Sequence, residues 1–242
     1  MKALILSAGQ GKRLLPLTAD RPKSSLHAGS RSLLEWQLHE LKKTAITEVV
    51  VITGFNAGVL EAIVAGIAKP ATRTLYNPFF SNCDNLGTCW IAREEMHEPF
   101  LLINGDTLFE AAIVEQLLAQ SGRFPITLAT DRKTDYDDDD MKVVVADDQL
   151  HRVGKQLGDA PVNGESIGMM VFRQQGPTLF RNKLDQLMRD GSGLGRWYLS
   201  AIDELAQDDQ VGSCCIESLQ WCEVDDASDL AHAVTVVGGW TQ

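Results

Sequence analysis

The chain has 242 residues, of which 44% are hydrophobic and 23% are charged, and this composition excludes collagen-like, disulfide-scaffold and wholly disordered proteins. Its 33 acidic and 22 basic residues give a net charge of −11, so we expect neither a nucleic-acid partner nor an anionic membrane partner. No apolar run approaches the roughly 18 residues of a membrane helix. Because Gly9 and the cations after it interrupt the opening apolar run, we interpret this run as a first strand and not a targeting peptide.

Short apolar runs alternate with amphipathic stretches through the first half of the chain. This alternation is typical of βαβ units and predicts an α/β fold with a Rossmann-like, mostly parallel central sheet flanked by helices. The first helix has a capping-box signature, Ser32 followed by Glu35. The predicted strand and helix pairs are Ala3–Leu6 with Leu33–Lys43, Val49–Thr53 with Val59–Ile67, Thr74–Tyr76 with Leu86–Met96, and Phe100–Ile103 with Ala111–Gln120.

After a strand at Ile126–Thr130 the pattern changes to shorter runs broken by Gly and Asp, which predict a smaller antiparallel subregion. We expect a single domain, with a nucleotide-binding half at 1–130 and an acceptor-binding half at 131–242. The remaining predicted elements are strands at Met141–Val145, His151–Val153, Ile167–Phe172 and Val211–Ile216, helices at Pro177–Met188 and Trp197–Ala206, and a closing helix capped by Asp226.

The segment directly after the first strand has the composition of a phosphate-binding loop. Its glycines allow backbone N–H groups to approach phosphate oxygens, and its cations concentrate positive charge on an acidic chain. Neither GxGxxG nor GxxxxGK[ST] is present, and the glycines alone fit a tight turn with solvated cations equally well. The candidate nucleotide-binding residues here are Leu6, Ala8, Gly9, Gly11, Lys12 and Arg13.

A candidate metal ligand, Asp106, follows the apolar strand that begins at Phe100. Because parallel strands bind ligands at their carboxyl edge, Asp106 is expected at the same edge as the phosphate loop. The alternative is that Gly105 and Asp106 only form a turn. Hard oxygen ligands suit Mg²⁺, which typically binds one or two carboxylates together with substrate phosphates.

The five cysteines are odd in number and form no CxxC pair. This pattern favours reduced thiols and a cytoplasmic location.

The N-terminal motif carries a family resemblance. The stretch Gly9-x-Gly11-x-Arg13-Leu14-x-Pro16-Leu17-Thr18-x-x-x-Pro22-Lys23 resembles the nucleotidyltransferase superfamily that makes nucleoside-diphosphate sugars and alcohols. The resemblance implies that Arg13 and Lys23 contact the phosphates of a nucleoside triphosphate and that Asp106 and Asp225 bind a divalent metal. It also implies base contacts around Asn85, Gly87 and Thr88. The family usually continues with an apolar residue and Leu-Leu, whereas this chain has Ser24-Ser25-Leu26, which predicts an altered pocket wall.

Later motifs, at 77–86, 140–143, 164–168 and 221–226, resemble the phosphocholine cytidylyltransferase branch. This resemblance implies CTP as the donor and a small phosphorylated or phosphonylated alcohol as the acceptor, with pyrophosphate released. Aromatic faces and carboxylates would hold a cationic head group and lysines its phosphate, although each such residue also fits an ordinary surface or core role. The candidate acceptor-binding residues are Tyr136, Lys142, Lys155, Glu165, Trp197, Tyr198 and Glu223.

Two other functions fit the same residues. The first is a sugar-1-phosphate nucleotidyltransferase that makes an NDP-sugar, and the second is a catalytically silent nucleotide-binding regulator. A homodimer is compatible with the sequence.

Overall fold

A computed structural model describes residues 1–120 and 122–240 of the chain. The chain forms two compact units that are interleaved along the sequence. The first unit contains Met1–Ser81, Ile103–Glu115 and the residues from Leu219 onward, and the second contains Asn82–Leu102 and Gln116–Ser218.

The elements of both units are numbered in chain order. The helices are α1 (Leu33–Leu41), α2 (Ala57–Ala65), α3 (Asn85–Ile91), α4 (Ala111–Ala119), α5 (Gly176–Arg189), α6 (Tyr198–Gln207) and α7 (Ala227–Gly238). The strands are β1 (Lys2–Ser7), β2 (His27–Ala28), β3 (Arg31–Ser32), β4 (Glu48–Thr53), β5 (Ala71–Tyr76), β6 (Phe100–Asn104), β7 (Thr107–Phe109), β8 (Ile126–Asp131), β9 (Lys142–Ala146), β10 (Gln149–Gly154), β11 (Gly164–Phe172), β12 (Val211–Cys215) and β13 (Trp221–Glu223). Short 3-10 turns occur at Lys12–Leu14, Lys23–Ser25 and Arg93–Glu95.

The first unit contains parallel strands in the order β5, β4, β1. The ends of β1 and β4 are in register, with Ser7 opposite Thr53. A separate antiparallel pair joins β7 to β13, with Thr107 opposite Glu223. Buried apolar side chains of this unit include Leu14, Leu26, Leu33, Trp36, Leu108, Val224, Ala233 and Val237. One core therefore supports the Lys23–Ser25 turn, α1, the β7–β13 pair and α7.

The second unit contains strands in the order β11, β8, β12, β10, β9. Strand β11 pairs antiparallel with β8 and β9, β10 pairs antiparallel with β9 and β12, and β12 is parallel to β8. Stacked rings of Phe100 and Phe172, with Phe180 tilted against Phe172, form part of its core.

The α/β class and the antiparallel subregion are confirmed. The capping box of Ser32 and Glu35 is present at the start of α1, and Asp226 caps α7. The predicted helix at Leu86–Met96 is only partly correct, since α3 ends at Ile91. Its continuation tightens because the N–H groups of Glu95 and Met96 donate to carbonyls three residues back. The short strands β2, β3 and β7 were not predicted.

Within the described residues, no helix has the length and hydropathy needed to span a membrane.

Candidate active site

Two carboxylates that are distant in sequence contact one lysine in the first unit. Lys23 Nζ lies 2.6 Å from Asp106 Oδ2 and 2.8 Å from Asp225 Oδ1. The same Asp225 oxygen lies 2.8 Å from Arg13 Nη2. A third carboxylate, Glu223, has an oxygen within 4.8 Å of one oxygen from each aspartate. We refer to Arg13, Lys23, Asp106, Glu223 and Asp225 as the Lys23 cluster.

Gly11, in the predicted phosphate loop, lies close to the Lys23 side chain. Gly11 has a φ of 79°, in the left-handed region, and a Cβ there would lie 2.7 Å from Lys23 Cβ. A side chain at this position would thus be strained and would displace the lysine stem. The Gly11 carbonyl accepts a hydrogen bond from Thr18 Oγ1 at 2.9 Å, which closes the loop over eight residues.

Asp106 lies in the turn between β6 and β7, where the backbone approaches β1 closely. The Gly105 N–H donates to the Leu6 carbonyl at 3.0 Å. A Cβ on Gly105 would lie 2.5 Å from both the Leu6 carbonyl oxygen and Ser7 Oγ, so only glycine allows this approach.

Asp225 is placed by the strand that precedes it and the helix that follows it. The β7–β13 ladder is extended by a bond from the Val224 N–H to the Asp106 carbonyl at 3.1 Å. The Asp225 N–H donates to Asp229 Oδ2 at 2.9 Å, in the first turn of α7. This pairing brings Asp106, directly before β7, close to Asp225, the second residue after β13.

The electrostatics of the Lys23 cluster keep its lysine charged. Burial lowers the pKa of Lys23, but the carboxylates of Asp106 and Asp225 outweigh burial and hold the pKa well above its ordinary value. Loss of water around its carboxyl group, and then repulsion from the two aspartates, raises the pKa of Glu223 to about 8. As a whole residue, Glu223 is solvent-exposed.

The donor set of the Lys23 cluster fits a divalent cation. Asp106 Oδ1 is buried and has no hydrogen-bond partner among the described residues. Carboxylate oxygens from Asp106, Glu223 and Asp225 converge within 4.8 Å. Hard oxygen donors of this kind suit Mg²⁺.

The other predicted residues of the phosphate loop precede Arg13 in the chain. The carbonyls of Leu6 and Ala8 accept bonds from the N–H groups of Gly105 and Phe55. Gly9 has open space around it, and Lys12 is exposed.

The predicted base-contacting residues belong to the second unit, at the start of α3. Asn85 Oδ1 accepts a hydrogen bond from the Tyr198 N–H at 2.7 Å. Gly87 is packed so closely that a Cβ would lie 2.6 Å from Cys83 Cβ, and Thr88 is buried. These contacts hold α3 against the start of α6.

A second lysine with two carboxylates lies in the second unit. Lys133 Nζ lies 2.7 Å from Asp140 Oδ1, 3.1 Å from Glu165 Oε2 and 5.9 Å from the centroid of the Tyr136 ring. Burial raises the pKa of Glu165 to about 7, with Lys133 opposing the shift and Asp140 adding to it. We refer to Lys133, Tyr136, Asp140 and Glu165 as the Lys133 cluster. Lys133 was not among the predicted site residues, although aspartates flank it at 131 and 135.

Of the remaining candidate acceptor residues, Lys142 and Trp197 contact Lys155 in the second unit, whereas Glu223 belongs to the Lys23 cluster. Lys155 Nζ lies 4.6 Å from the centroid of the Trp197 ring and 2.8 Å from Asp139 Oδ1. Lys142 Nζ donates to the carbonyl of Lys155 at 3.0 Å and also to that of Asp137. Trp197 is 41% exposed, whereas the Tyr198 side chain is fully buried.

Comparisons with known proteins identify the family and the fold. The family described as Nucleotidyl transferase matches residues 2–153. CMP-5'-(3-aminopropyl)phosphonate synthase from Streptomyces rubellomurinus is 27% identical over 96% of this chain and 38% of its own length. N-acetylmuramate alpha-1-phosphate uridylyltransferase from Neisseria meningitidis is 31% identical over 45% of this chain and 48% of its own. The chain thus aligns with less than half of either relative.

A solved structure shows the same fold. CTP:phosphocholine cytidylyltransferase from Streptococcus pneumoniae superposes with a TM-score of 0.79 over 98% of both chains, at 18% sequence identity. Since the family match alone covers more than half of the sequence, this chain belongs to the nucleotidyl transferase family.

Proposed function

We propose that the protein transfers a cytidylyl group from CTP to a small phosphorylated or phosphonylated alcohol and releases pyrophosphate. The observation that carries the proposal is the convergence of Lys23, Asp106 and Asp225 within 2.8 Å contacts, directly beside the phosphate loop. Cations and metal-binding carboxylates at one place are what a triphosphate requires on a chain with a net charge of −11.

Asp106 and Asp225, with Glu223 beside them, would hold the divalent cation, for which Mg²⁺ is the proposed identity. When bound, this cation neutralises negative charge on the triphosphate. No step requires a nucleophile from the protein.

In the proposed reaction, an oxygen of the acceptor's phosphate or phosphonate attacks the α-phosphorus of CTP. The bond from the α-phosphorus to the oxygen that bridges to the β-phosphorus breaks, and pyrophosphate leaves with that electron pair. Arg13 and Lys23 donate hydrogen bonds to the phosphate oxygens and stabilise the charge that develops on them. The carboxylates beside Lys23 hold its pKa well above the ordinary value, so the side chain is cationic before substrate binds.

The Lys133 cluster and the side chains around Lys155 are the proposed acceptor site. The Lys133 ammonium already lies near the Tyr136 ring and between two carboxylates, which is the environment that an acceptor amine or quaternary ammonium would need. Lys142 and Lys155 would contact the acceptor's phosphate or phosphonate. The name of one relative, CMP-5'-(3-aminopropyl)phosphonate synthase, supports an acceptor that carries an amine.

A sugar-1-phosphate acceptor is the second candidate, because a relative at 31% identity is named as a uridylyltransferase for a sugar phosphate. It would need hydroxyl-binding polar groups where the first candidate needs aromatic rings and carboxylates.

The test is pyrophosphate release from CTP, UTP, GTP and dTTP, each with phosphocholine, 2-aminoethylphosphonate and sugar 1-phosphates, with Mg²⁺ or with EDTA. We expect release with CTP and an amine-bearing acceptor, and none with EDTA. Turnover of UTP or dTTP with a sugar phosphate would support the second candidate instead. Tight nucleotide binding without turnover of any pair would identify a regulator and would overturn the proposal.

A further inference from the structure

The turn that carries Asp106 accepts hydrogen bonds from other segments at four consecutive carbonyl groups. Each carbonyl from 104 to 107 accepts a hydrogen bond from another part of the first unit. The four bonds are those from Ser24 Oγ to Gly105 at 2.9 Å, from the Val224 N–H to Asp106 at 3.1 Å, and from Gln37 Nε2 to both Asn104 and Thr107 at 2.8 Å.

The two side chains that make these bonds are buried. Ser24 is 4% exposed and Gln37 is 1% exposed. Neither can exchange its bond for one to water without local opening, and loss of the Ser24 hydroxyl would remove a buried hydrogen bond from the Gly105 carbonyl.

The Ser24–Ser25 pair is also where the sequence departs from the resembling family, and we expected a changed pocket wall there. The structure shows a different use for both hydroxyl groups. Ser24 Oγ reaches across to the Gly105 carbonyl, whereas Ser25 Oγ bonds locally to the Pro22 carbonyl at 2.8 Å. The lysine-bearing turn and the aspartate-bearing turn are therefore fastened to each other by Ser24.

This link affects the direction of the Asp106 side chain. The Gly105 carbonyl belongs to the peptide unit that immediately precedes Asp106, so fixing it limits rotation of the backbone at the carboxylate. Groups that orient a metal ligand typically alter metal affinity by about 10- to 100-fold when they are removed.

We propose that Ser24 is a positioning residue that acts through Asp106, and that its hydroxyl keeps the Asp106 carboxylate facing Asp225 so that both can bind one divalent cation. Gln37 supports the same turn through the two flanking carbonyls. This inference rests on the proposed function, in which that cation is required.

The test compares Ser24→Ala with Ser25→Ala. The two serines are adjacent, belong to the same turn, are each 4% exposed and each donate to a backbone carbonyl. The two substitutions should therefore lower the urea midpoint of unfolding by similar amounts. We expect Mn²⁺ affinity, measured by electron paramagnetic resonance with CTP present, to fall about 10-fold or more in Ser24→Ala and to stay within about twofold in Ser25→Ala.

A second readout needs neither metal nor turnover. Hydrogen exchange of the peptide spanning 103–109 in the metal-free protein should become faster in Ser24→Ala and should not change in Ser25→Ala. Ser24→Thr, which keeps a hydroxyl group, should restore much of the Mn²⁺ affinity. If Ser24→Ala does not fold, Ser24→Cys carries the same test, because a thiol of similar volume is a much weaker hydrogen-bond donor to the Gly105 carbonyl.

The outcomes separate this inference from the proposed function. Equal Mn²⁺ affinity in the wild type, Ser24→Ala and Ser25→Ala would overturn the role of Ser24 and leave the function standing. Equal losses in both variants would also overturn it, because the whole turn rather than the Gly105 bond would then be responsible. A wild-type protein that binds no Mn²⁺ and releases pyrophosphate in EDTA would overturn the metal-dependent function itself.

Discussion

The Lys23 cluster and the Lys133 cluster share one arrangement but differ in their structural support. Each contains one lysine that contacts two carboxylates. In the first, the carboxylates flank paired strands, and the lysine side chain is 14% exposed. In the second, Lys133 and Asp140 lie in one irregular segment whose residues 132–135 and 137–139 are exposed, and the lysine side chain is 37% exposed.

The difference in support indicates a difference in use. A site that binds a metal and a triphosphate gains from rigid placement, because small displacements weaken charge stabilisation. A site that binds a small cationic head group benefits from mobile carboxylates, which can release the lysine ammonium and bind the cation of the ligand instead. We expect substitutions in the Lys23 cluster to reduce the rate of the chemical step and those in the Lys133 cluster to reduce acceptor affinity.

The largest expected effect is from the two aspartates. Asp106→Asn combined with Asp225→Asn should reduce turnover by on the order of 10³-fold or more, because it removes both charged metal ligands. The matched pair Asp140→Asn and Glu165→Gln should raise the KM for the acceptor about tenfold and leave turnover at saturating acceptor nearly unchanged. Steady-state kinetics of pyrophosphate release measure both. Equal loss of turnover in the two double variants would contradict the separate roles assigned to the two clusters.

The lysines should differ in the same way, with a smaller effect. Lys23→Ala should reduce turnover by about 10²–10³-fold, by analogy with the loss of one donor to a developing negative charge. Lys133→Ala should act on the KM for the acceptor. Unchanged pyrophosphate release by Lys23→Ala at saturating substrates would remove this lysine from the reaction.

The rigid support of the Lys23 cluster is tested at Gly105. Gly105→Ala should lower the free energy of unfolding by about 3 kcal/mol, since the new Cβ would lie 2.5 Å from two oxygen atoms. Gly58→Ala in α2 is the control, because its Cβ would meet open space and should leave the stability unchanged or raise it by about 1 kcal/mol. Urea unfolding compares the two. Equal stability of both variants would show that the turn accommodates the added methyl group and is not rigid.

The smallest predicted effect concerns the Lys133 cluster, which should make the free energy of unfolding depend on pH. Glu165 has an ordinary pKa of 4.5, and its pKa in the folded protein is about 7. Between these values the folded state binds more protons than the unfolded state, so the stabilising contribution is complete below pH 4.5 and is lost as the pH rises through 7. Relative to Glu165→Gln, the wild type should lose about 2–3 kcal/mol in the free energy of unfolding between pH 5 and pH 8. A constant difference between the two proteins across this range would contradict the prediction.

Much of the fold could be predicted from the sequence because the local signals were strong. Apolar periodicity identified β1, β4 and most helices, and the capping residues Ser32 and Asp226 marked helix starts correctly. Strand β7 was missed because its three residues are too few to show a period, yet its pairing with β13 is what brings Asp106 close to Asp225.

The site was predictable only where a local motif marked the residue. Arg13, Lys23 and Asp106 lie in or beside recognisable segments, and Asp225 came only from resemblance. Gln37 carries no local signal, and Ser24 was marked only as a departure from the family motif, since their partners lie 67 or more and 81 residues away, respectively. Lys133 was hidden among aspartates that fit a solvated loop equally well. The roles assigned to all these residues remain predictions.

The most direct test of the account is a crystal structure with Mn²⁺ and a non-hydrolysable CTP analogue, read by anomalous scattering. The account predicts one strong anomalous peak within bonding distance of both Asp106 and Asp225 and of the triphosphate. A triphosphate bound with its Mn²⁺ away from both carboxylates would contradict it.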